Sequence, residues 1–327
     1  MAGMQRRSLV LAAGAALAGA AGPLRAQAYP ARQPIRYIVP VAAGGGSDMV
    51  GRTVTERWGR VLGQSFVVEN QGGGGGLIAA QNLLKSRPDG YTLMQGYVST
   101  HGTSPATRKL GYDPVRDFTP VGMIGGTPNV LVVSSALAGV TDFKSFMDYA
   151  RRNAGAVAYG SAGPGSLTHL VMELFKQQAS VNLTHVPYRG IAPAFTDLIG
   201  GQTQVMFPGL AAAVPHIRSG RVRALAVTGV RRAPQLPETP TLDELGYPGF
   251  DAQQWYGVVG PAGLPSEVTK VLNDSLAQVL AAPDLREKLS VEAIEPTIMT
   301  SAQFGAFIRA DLARWTQLAR ERKIELD

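Results

Sequence analysis

Apolar positions along the chain alternate between two spacings. Ile35-Arg36-Tyr37-Ile38-Val39 is a short apolar run of strand length, and Val50, Val54, Trp58, Val61 and Leu62 then share one face of a helix. Phe66-Val67-Val68-Glu69 reads as a second strand, residues 77–86 as a helix and residues 91–95 as a third strand. A buried strand is expected over 129–134 and a helix over 143–153 with Phe146, Met147 and Ala150 inward. The run 156–159 leads into a helix whose apolar positions, Leu167, Leu170, Val171, Leu174 and Phe175, fall at i, i+3, i+4, i+7 and i+8. Further strands are read at 183–186, 204–208, 222–227 and 255–260, with a short helix over 192–199. Two amphipathic helices close the chain. Val268, Val271, Leu272, Leu276, Val279 and Leu280 line one, and Phe304, Phe307, Ile308, Leu312, Trp315 and Leu318 line the other. Residues 103–120 and 234–240, punctuated by proline, read as loops. Alternating strands and helices predict an α/β protein with mainly parallel sheets.

Several strand-to-helix turns are rich in glycine. Gly160, Gly163 and Gly165 precede the helix that opens at Leu167, with Ser161 and Ser166 among them, and Ser166 stands where an N-cap belongs. The same order recurs after the first strand as Pro40-Val41-Ala42-Ala43-Gly44-Gly45-Gly46-Ser47-Asp48, with Ser47 or Asp48 as the expected cap. A run of five glycines ends in Gly75-Gly76 before Leu77, where a helix N-terminus is expected, with the rest a turn. Such loops offer bare backbone N–H groups and a partial positive charge to an anion. Two copies of the device predict a two-sided anion clamp. Ligands of open α/β sheets gather at the C-terminal strand ends. That adds Val98, Ser99 and Thr100 after the third strand, and Phe207 in the strand at 204–208. No Gly-Lys-Ser/Thr completes a P-loop, and Met49 stands where a dinucleotide fingerprint needs its third glycine.

The first 26 residues carry Arg6-Arg7, a short uncharged run and the small residue Ala26, and are expected to be a signal peptide cleaved near Ala26/Gln27. Arg6-Arg7 leaves export by the general or the twin-arginine route open. The chain has no cysteine, hence no disulfide framework and no lipid-anchoring thiol. Its charge is +7, and the loss of Arg6, Arg7 and Arg25 with the leader brings that to +4. This balance is no nucleic-acid footprint. The length after cleavage suits two domains.

Catalytic patterns are missing. Ser161 lies in Gly-Ser-Ala-Gly, not in a nucleophile elbow. The four histidines, His101, His169, His185 and His216, form no metal-binding helical pair. A Ser161/His169/Asp48 triad can be drawn, yet no spacing demands it. The expectation is a protein that holds its ligand, with no catalytic residue, metal or cofactor.

The motifs Gly160-Ser161-Ala162-Gly163-x-Gly165-Ser166-x-x-His169-Leu170 and Pro187-Tyr188-Arg189-Gly190 resemble those of the periplasmic receptors of tripartite tricarboxylate transporters, the Bug family. The first glycine loop, Pro88-Asp89-Gly90-Tyr91-Thr92-Leu93 and Trp255-Tyr256-Gly257 fall in the family's order, so the resemblance covers the chain after the leader. It implies a two-lobed, Venus-flytrap (type II) periplasmic-binding-protein fold, each lobe a mainly parallel sheet flanked by helices. Lobe 1 would take 27–127 and 255–327, and lobe 2 would take 128–254. It implies a small carboxylate between the lobes, delivered by a soluble periplasmic monomer to the membrane subunits of a transporter. A sensor for a signalling partner and an exported hydrolase are the alternatives. Carried over by position, Val41, Ala42, Ala43, Gly44, Gly45, Ser47 and Asp48 would form one half of the site. Ser161, Ser166 and the amides of Ala162, Gly163 and Gly165 would form the other, with His169 and Tyr188 in support. The resemblance and the strand ends together give Gly76, Leu77, Ser99, Thr100 and Phe207 as further lining. Ala43 and Leu77 replace a proline and an asparagine common in the family, which points to a ligand with an apolar or aromatic body.

Overall fold

The computed structural model describes residues 29–30, 33–44, 46–291 and 293–326. The expected leader and Gly45 lie outside the described residues. From Pro34 onward the chain forms one compact unit containing two sheets.

The first sheet has the order β11-β4-β10-β3-β1-β2. Its strands are β1 (Ile35–Val39), β2 (Phe66–Asn70), β3 (Thr92–Tyr97), β4 (Phe118–Pro128), β10 (Gln253–Pro261) and β11 (Glu295–Pro296). The second has the order β7-β6-β8-β5-β9. Its strands are β5 (Val130–Ser134), β6 (Ala158–Ser161), β7 (Thr184–Pro187), β8 (Val205–Met206) and β9 (Val222–Val227).

Both sheets are mixed, which corrects the mainly parallel expectation. β1 runs parallel to β2 and β3, whereas β10 is antiparallel to β3 and to β4. In the second sheet β6 is parallel to β7 and β8, but β5 is antiparallel to β8 and β9. The cause is the path of the chain. It leaves the first sheet along β4, enters the second along β5 and returns along β10. The outgoing and returning strands pair over their whole length, from Gln253 opposite Pro128 to Pro261 opposite Phe118. β4 covers the end of a stretch expected as loop and continues well past it. Its prolines and glycines hid it, because Pro120 and Gly125 are unusual inside a strand.

Between β4 and β5 stands a single residue, Asn129. Its N–H donates to Thr228 Oγ1 at 2.8 Å, its Nδ2 donates to the Phe207 carbonyl at 3.0 Å, and its own carbonyl accepts the Thr228 N–H at 2.8 Å. The segment joining the sheets is thus tied on both sides.

Helices cover the sheets. Against the first sheet, α1 (Gly46–Leu62) buries Val50, Val54 and Trp58, and the Trp58 indole donates to Ser275 Oγ of α8 (Ser266–Ala281) at 2.7 Å. α2 (Leu77–Leu84) is shorter than expected. α3 (Ser104–Thr107), α9 (Pro283–Val291) and α10 (Ser301–Glu321) are further helices beside that sheet. Val271 of α8 is exposed, contrary to the expected stripe. Between the strands of the second sheet run α4 (Phe143–Arg152), α5 (Leu167–Ala179), α6 (Ile191–Ile199) and α7 (Leu210–Arg218). Val130, Val132, Phe195, Leu198, Met206 and Val227 meet in the core beside that sheet. Among the described residues no helix is long and apolar enough to cross a membrane.

Candidate functional site

The loops after β1, β2 and β3 converge at one end of the first sheet. Asp48 ties the first two together. It is 5% exposed, and its Oδ2 accepts the Gly44 N–H at 2.9 Å. Its Oδ1 accepts from Asn70 Nδ2 at 2.8 Å and from Arg52 Nε at 2.9 Å. Arg52 Nη2 in turn donates to Asn70 Oδ1 at 2.8 Å, and Asn70 Nδ2 reaches the Val41 carbonyl at 3.2 Å. Burial works to raise the Asp48 pKa. The hydrogen bonds from Gly44, Asn70 and Arg52 outweigh it and hold the carboxyl below its ordinary range. The carboxylate is therefore a brace with its oxygens already engaged. Ser47 and Asp48 also lie inside α1 and are not its N-cap, because the helix already begins at Gly46. Ser47 Oγ accepts instead from Gln95 Nε2 at 2.7 Å.

The glycine run is an ordered turn. Gly73, Gly74, Gly75 and Gly76 have φ of 122°, 57°, 68° and 95°, a path that side chains strongly disfavour. One of its carbonyls is also held. Gly75 O accepts from Ser99 Oγ at 3.2 Å and from the Tyr97 hydroxyl at 3.4 Å. A Cβ on Gly72 would lie 2.9 Å from the Ala42 nitrogen, so the second loop rests directly on the first. Ala42, Ala43, Gly72 and Gly73 are exposed, and among the described residues their N–H groups have no protein partner. These uncommitted backbone donors form an anion-accepting surface without a charged side chain at its centre.

The second half comes from the loop between β6 and α5. Ser166 caps α5, accepting the His169 N–H through its side chain. The rest of this loop differs from expectation, because its donors are spent internally. The Ala162 N–H donates to Thr168 Oγ1 at 2.9 Å, the Gly163 N–H to Ser161 Oγ at 3.1 Å and the Gly165 N–H to His169 Nδ1 at 3.1 Å. Ser161 is fully buried, and its hydroxyl shares a 2.7 Å hydrogen bond with His185 Nε2. The amides of Ala162, Gly163 and Gly165 and the Ser161 hydroxyl thus shape the loop in this conformation. The N–H groups of Leu167 and Thr168, in the first turn of α5, have no intrahelical acceptor and supply its positive end.

Beneath the loop, three rings are stacked. His185 lies between Tyr159, at 4.8 Å, and His169, at 4.0 Å. Burial, then the neighbouring His185, pushes the His169 pKa down to about 4, and burial lowers His185 as well. Both rings are neutral at pH 7. The Tyr159 hydroxyl donates to Glu173 Oε1 at 2.7 Å, and Glu173 also receives Lys176 at 2.5 Å and Arg322 at 2.6 Å. Burial would raise the Glu173 carboxyl, yet the hydrogen bonds from Lys176, Tyr159 and Arg322 bring it down to about 2. Tyr188 stands beside the loop. Its N–H donates to the Ser161 carbonyl at 3.1 Å and its hydroxyl to Asp197 at 2.6 Å.

The remaining candidates divide by exposure. Ala42, Ala43 and Gly44 are exposed, while Val41, Leu77, Ser99, Ala162, Ser166 and Tyr188 are half-buried. Thr100 is fully buried, with Oγ1 donating to the Tyr97 carbonyl at 3.0 Å and lying 2.8 Å from His101 Nδ1. Phe207 is fully buried against Phe250 and Phe175, as core rather than lining. Gly76 is buried as well. The drawn triad is not assembled, since Ser161 meets His185, His169 meets Gly165, and Asp48 is engaged with Gly44, Asn70 and Arg52. Among the described residues no group of three or more His, Asp or Glu could hold a metal. Sequence reasoning missed Asn70, Tyr97 and His185 as supports. The first abuts the glycine run and the last opens the His185-Val186-Pro187-Tyr188 motif, so position offered a signal, but their partners did not.

Glycine loops at the strand ends of two linked mixed sheets define a two-lobed α/β protein of the periplasmic-binding-protein class. Residues 50–324 match the model of the tripartite tricarboxylate transporter family receptor, and the chain belongs to that family. It is 35% identical to protein BugT of Bordetella pertussis over 97% of this chain and 98% of that one. Among solved structures it is similar to R. palustris Rpa4515 with adipate, at 37% identity and a TM-score of 0.80, covering 89% of this chain and 97% of that one. It is also similar to MatC of Rhodopseudomonas palustris with bound malate, at 30% identity and a TM-score of 0.75, covering 88% and 98%.

Proposed function

We propose that the chain is an extracytoplasmic solute receptor that binds a small carboxylate between its lobes and delivers it, unchanged, to the membrane subunits of a tripartite transporter. The observation that carries this reading is the group of exposed, unpartnered N–H donors at Ala42, Ala43, Gly72 and Gly73, together with membership of the receptor family. The chain would act in the periplasm as a monomer, without enzymatic turnover.

In this reading lobe 1 comprises 27–127 and 255–327, and lobe 2 comprises 128–254. The carboxylate first meets the lobe 1 loops. Closure about the segments near Asn129 and β10 then brings up the N-terminus of α5. Charge-assisted hydrogen bonds contribute roughly 1.5–3 kcal/mol each, and micromolar binding needs about 8 kcal/mol net. A handful of such bonds therefore suffices, and the lack of a buried arginine at the site's centre allows release. Exposed Ala43 and half-buried Leu77 favour a ligand with an apolar body, and adipate, found with the similar Rpa4515, has such a body.

A thermal-shift panel of carboxylates tests the reading. A ligand at 100 times its Kd stabilises by about 2.7 kcal/mol. Aliphatic or aromatic acids should give the largest shifts. No shift with any carboxylate would overturn the receptor reading, whereas malate or citrate outranking every apolar acid would overturn only the apolar body.

A further inference from the structure

A second cavity, of about 770 Å³, opens between the segment after α3 and the end of α10. Arg108 and Lys109 line it from one side and Arg320 and Lys323 from the other. None of these four cations takes part in an ion pair among the described residues, and Arg108 Nε is buried without a hydrogen-bond partner. Asp113 and Asp117 line an adjoining cavity with Arg108, and Asp117 is paired with Arg116. Glu173 is paired with Lys176 and Arg322, and Glu321 accepts from Gln177 and Gln317. Among the described residues, the one acidic side chain of the lining is Glu325.

Cations at a helix C-terminus are favoured by the helix dipole, which accounts for Arg320 and Lys323. Arg108 is likewise the C-cap of α3, with Lys109 next to it, so two helix ends bring their cations to one cavity. Lys109, Arg320 and Lys323 are exposed and their repulsion is screened by solvent, whereas Arg108 is half-buried; an anion between the two pairs would be attracted by all four. Pro105, Ala106 and Ile324 add an apolar wall, and the volume falls in the range of roughly 300–1,000 Å³ common for small-molecule sites.

We infer that this groove is a second binding site, separate from the glycine loops, for a small multivalent oxyanion on a compact organic body. It adjoins the contact between the lobes. The Leu326 N–H donates to the Thr107 carbonyl at 2.7 Å, and a Cβ on Gly165 would lie 2.6 Å from Leu326 Cδ1 and 2.7 Å from Thr107 Oγ1. An occupant of the groove therefore sits against the same residues that support the loop before α5.

Calorimetric titration of the full chain with tricarballylate, pyrophosphate and acetate tests this, with carboxylate and phosphate chemistry as separate arms. Three variants serve as comparisons: Ala43→Glu, which sets a carboxylate on the exposed loop of the first site, and the groove variants Arg108→Gln/Lys109→Gln and Arg320→Gln/Lys323→Gln, each made in the Ala43→Glu background. Circular dichroism checks that each is folded. Binding of either multivalent anion should persist in Ala43→Glu and weaken at least about tenfold in each groove variant, with acetate far weaker throughout. Multivalent binding that is absent, unchanged in folded groove variants, lost in Ala43→Glu, or matched by acetate would overturn the site.

Discussion

The imidazole rings of His169 and His185 lie 4.0 Å apart, centroid to centroid, and within 7° of parallel. Such a pair tolerates little positive charge. Its geometry links the loop to pH, because His169 Nδ1 must stay unprotonated to accept the Gly165 N–H. The His169 pKa is near 4 when folded and near 6.5 when unfolded. Between those values the unfolded chain binds more protons, so stability falls as pH falls through that window. The slope should approach 1.4 kcal/mol per pH unit for this histidine, at about pH 5. Urea denaturation at pH 7, 6 and 5 measures it. Replacement by asparagine (H169N) should flatten the dependence, and an unchanged slope would remove His169 from the account.

Glycine is required at Gly76 for two reasons and at Gly44 for one. Both have positive φ, 95° and 87°. A Cβ at Gly76 would run into the Thr100 methyl and approach Pro40, whereas one at Gly44 meets nothing within 4 Å. Gly44→Ala should cost about 1 kcal/mol from backbone conformation alone, and Gly76→Ala about 3 kcal/mol or more, since overpacking adds to strain. Chemical denaturation of the two variants side by side should show that order.

Asp48 holds Gly44, Asn70 and Arg52 at once. Asp48→Ala leaves the half-buried Asn70 side chain, the Arg52 guanidinium and the Gly44 N–H without this acceptor. Loss of such bonds costs about 1–3 kcal/mol. Ligand affinity should fall as well, as the loop donors lose their fixed geometry, although Asp48 has no oxygen to spare for the ligand. Calorimetry with whichever carboxylate scores in the thermal-shift panel reads the affinity. Wild-type affinity in this variant would show that loop order is unimportant to binding.

Glu173 joins α5 to the end of α10 through Arg322, whose Nε and Nη2 donate at 2.8 Å and 2.6 Å. Arg322→Ala should destabilise by about 1–3 kcal/mol, moderated because Lys176 and Tyr159 still partner the carboxylate. Replacing Glu173 itself with leucine strands Lys176 and Arg322 together and should cost more. Thermal denaturation at pH 7 compares them.

The sequence by itself determined the local elements and their order. The apolar spacings of α1, α5 and α10, the cap at Ser166 and the glycine turns are short-range properties, set by side-chain periodicity and backbone freedom within a few residues. They marked the loops that form the candidate site. Tertiary structure decided which atoms in those loops remain available. Ser161 and the amides of Ala162, Gly163 and Gly165 looked like ligand donors, yet Ser161 Oγ, Thr168 and His169 consume the amides within the folded loop, and His185, brought in by β7, takes the Ser161 hydroxyl. Asp48 looked like a cap and proved a brace, because Asn70 meets it only once β1 and β2 are paired, while Arg52 reaches it from the next turn of α1. Thr100 and Phe207 sit near strand ends in sequence but face the interior. The mixed sheets were equally hidden, because strand direction depends on the partner across the chain's crossings, not on the strand's own residues. Hydrogen-bond satisfaction is a property of the assembled neighbourhood, and periodicity within one segment carries no record of it.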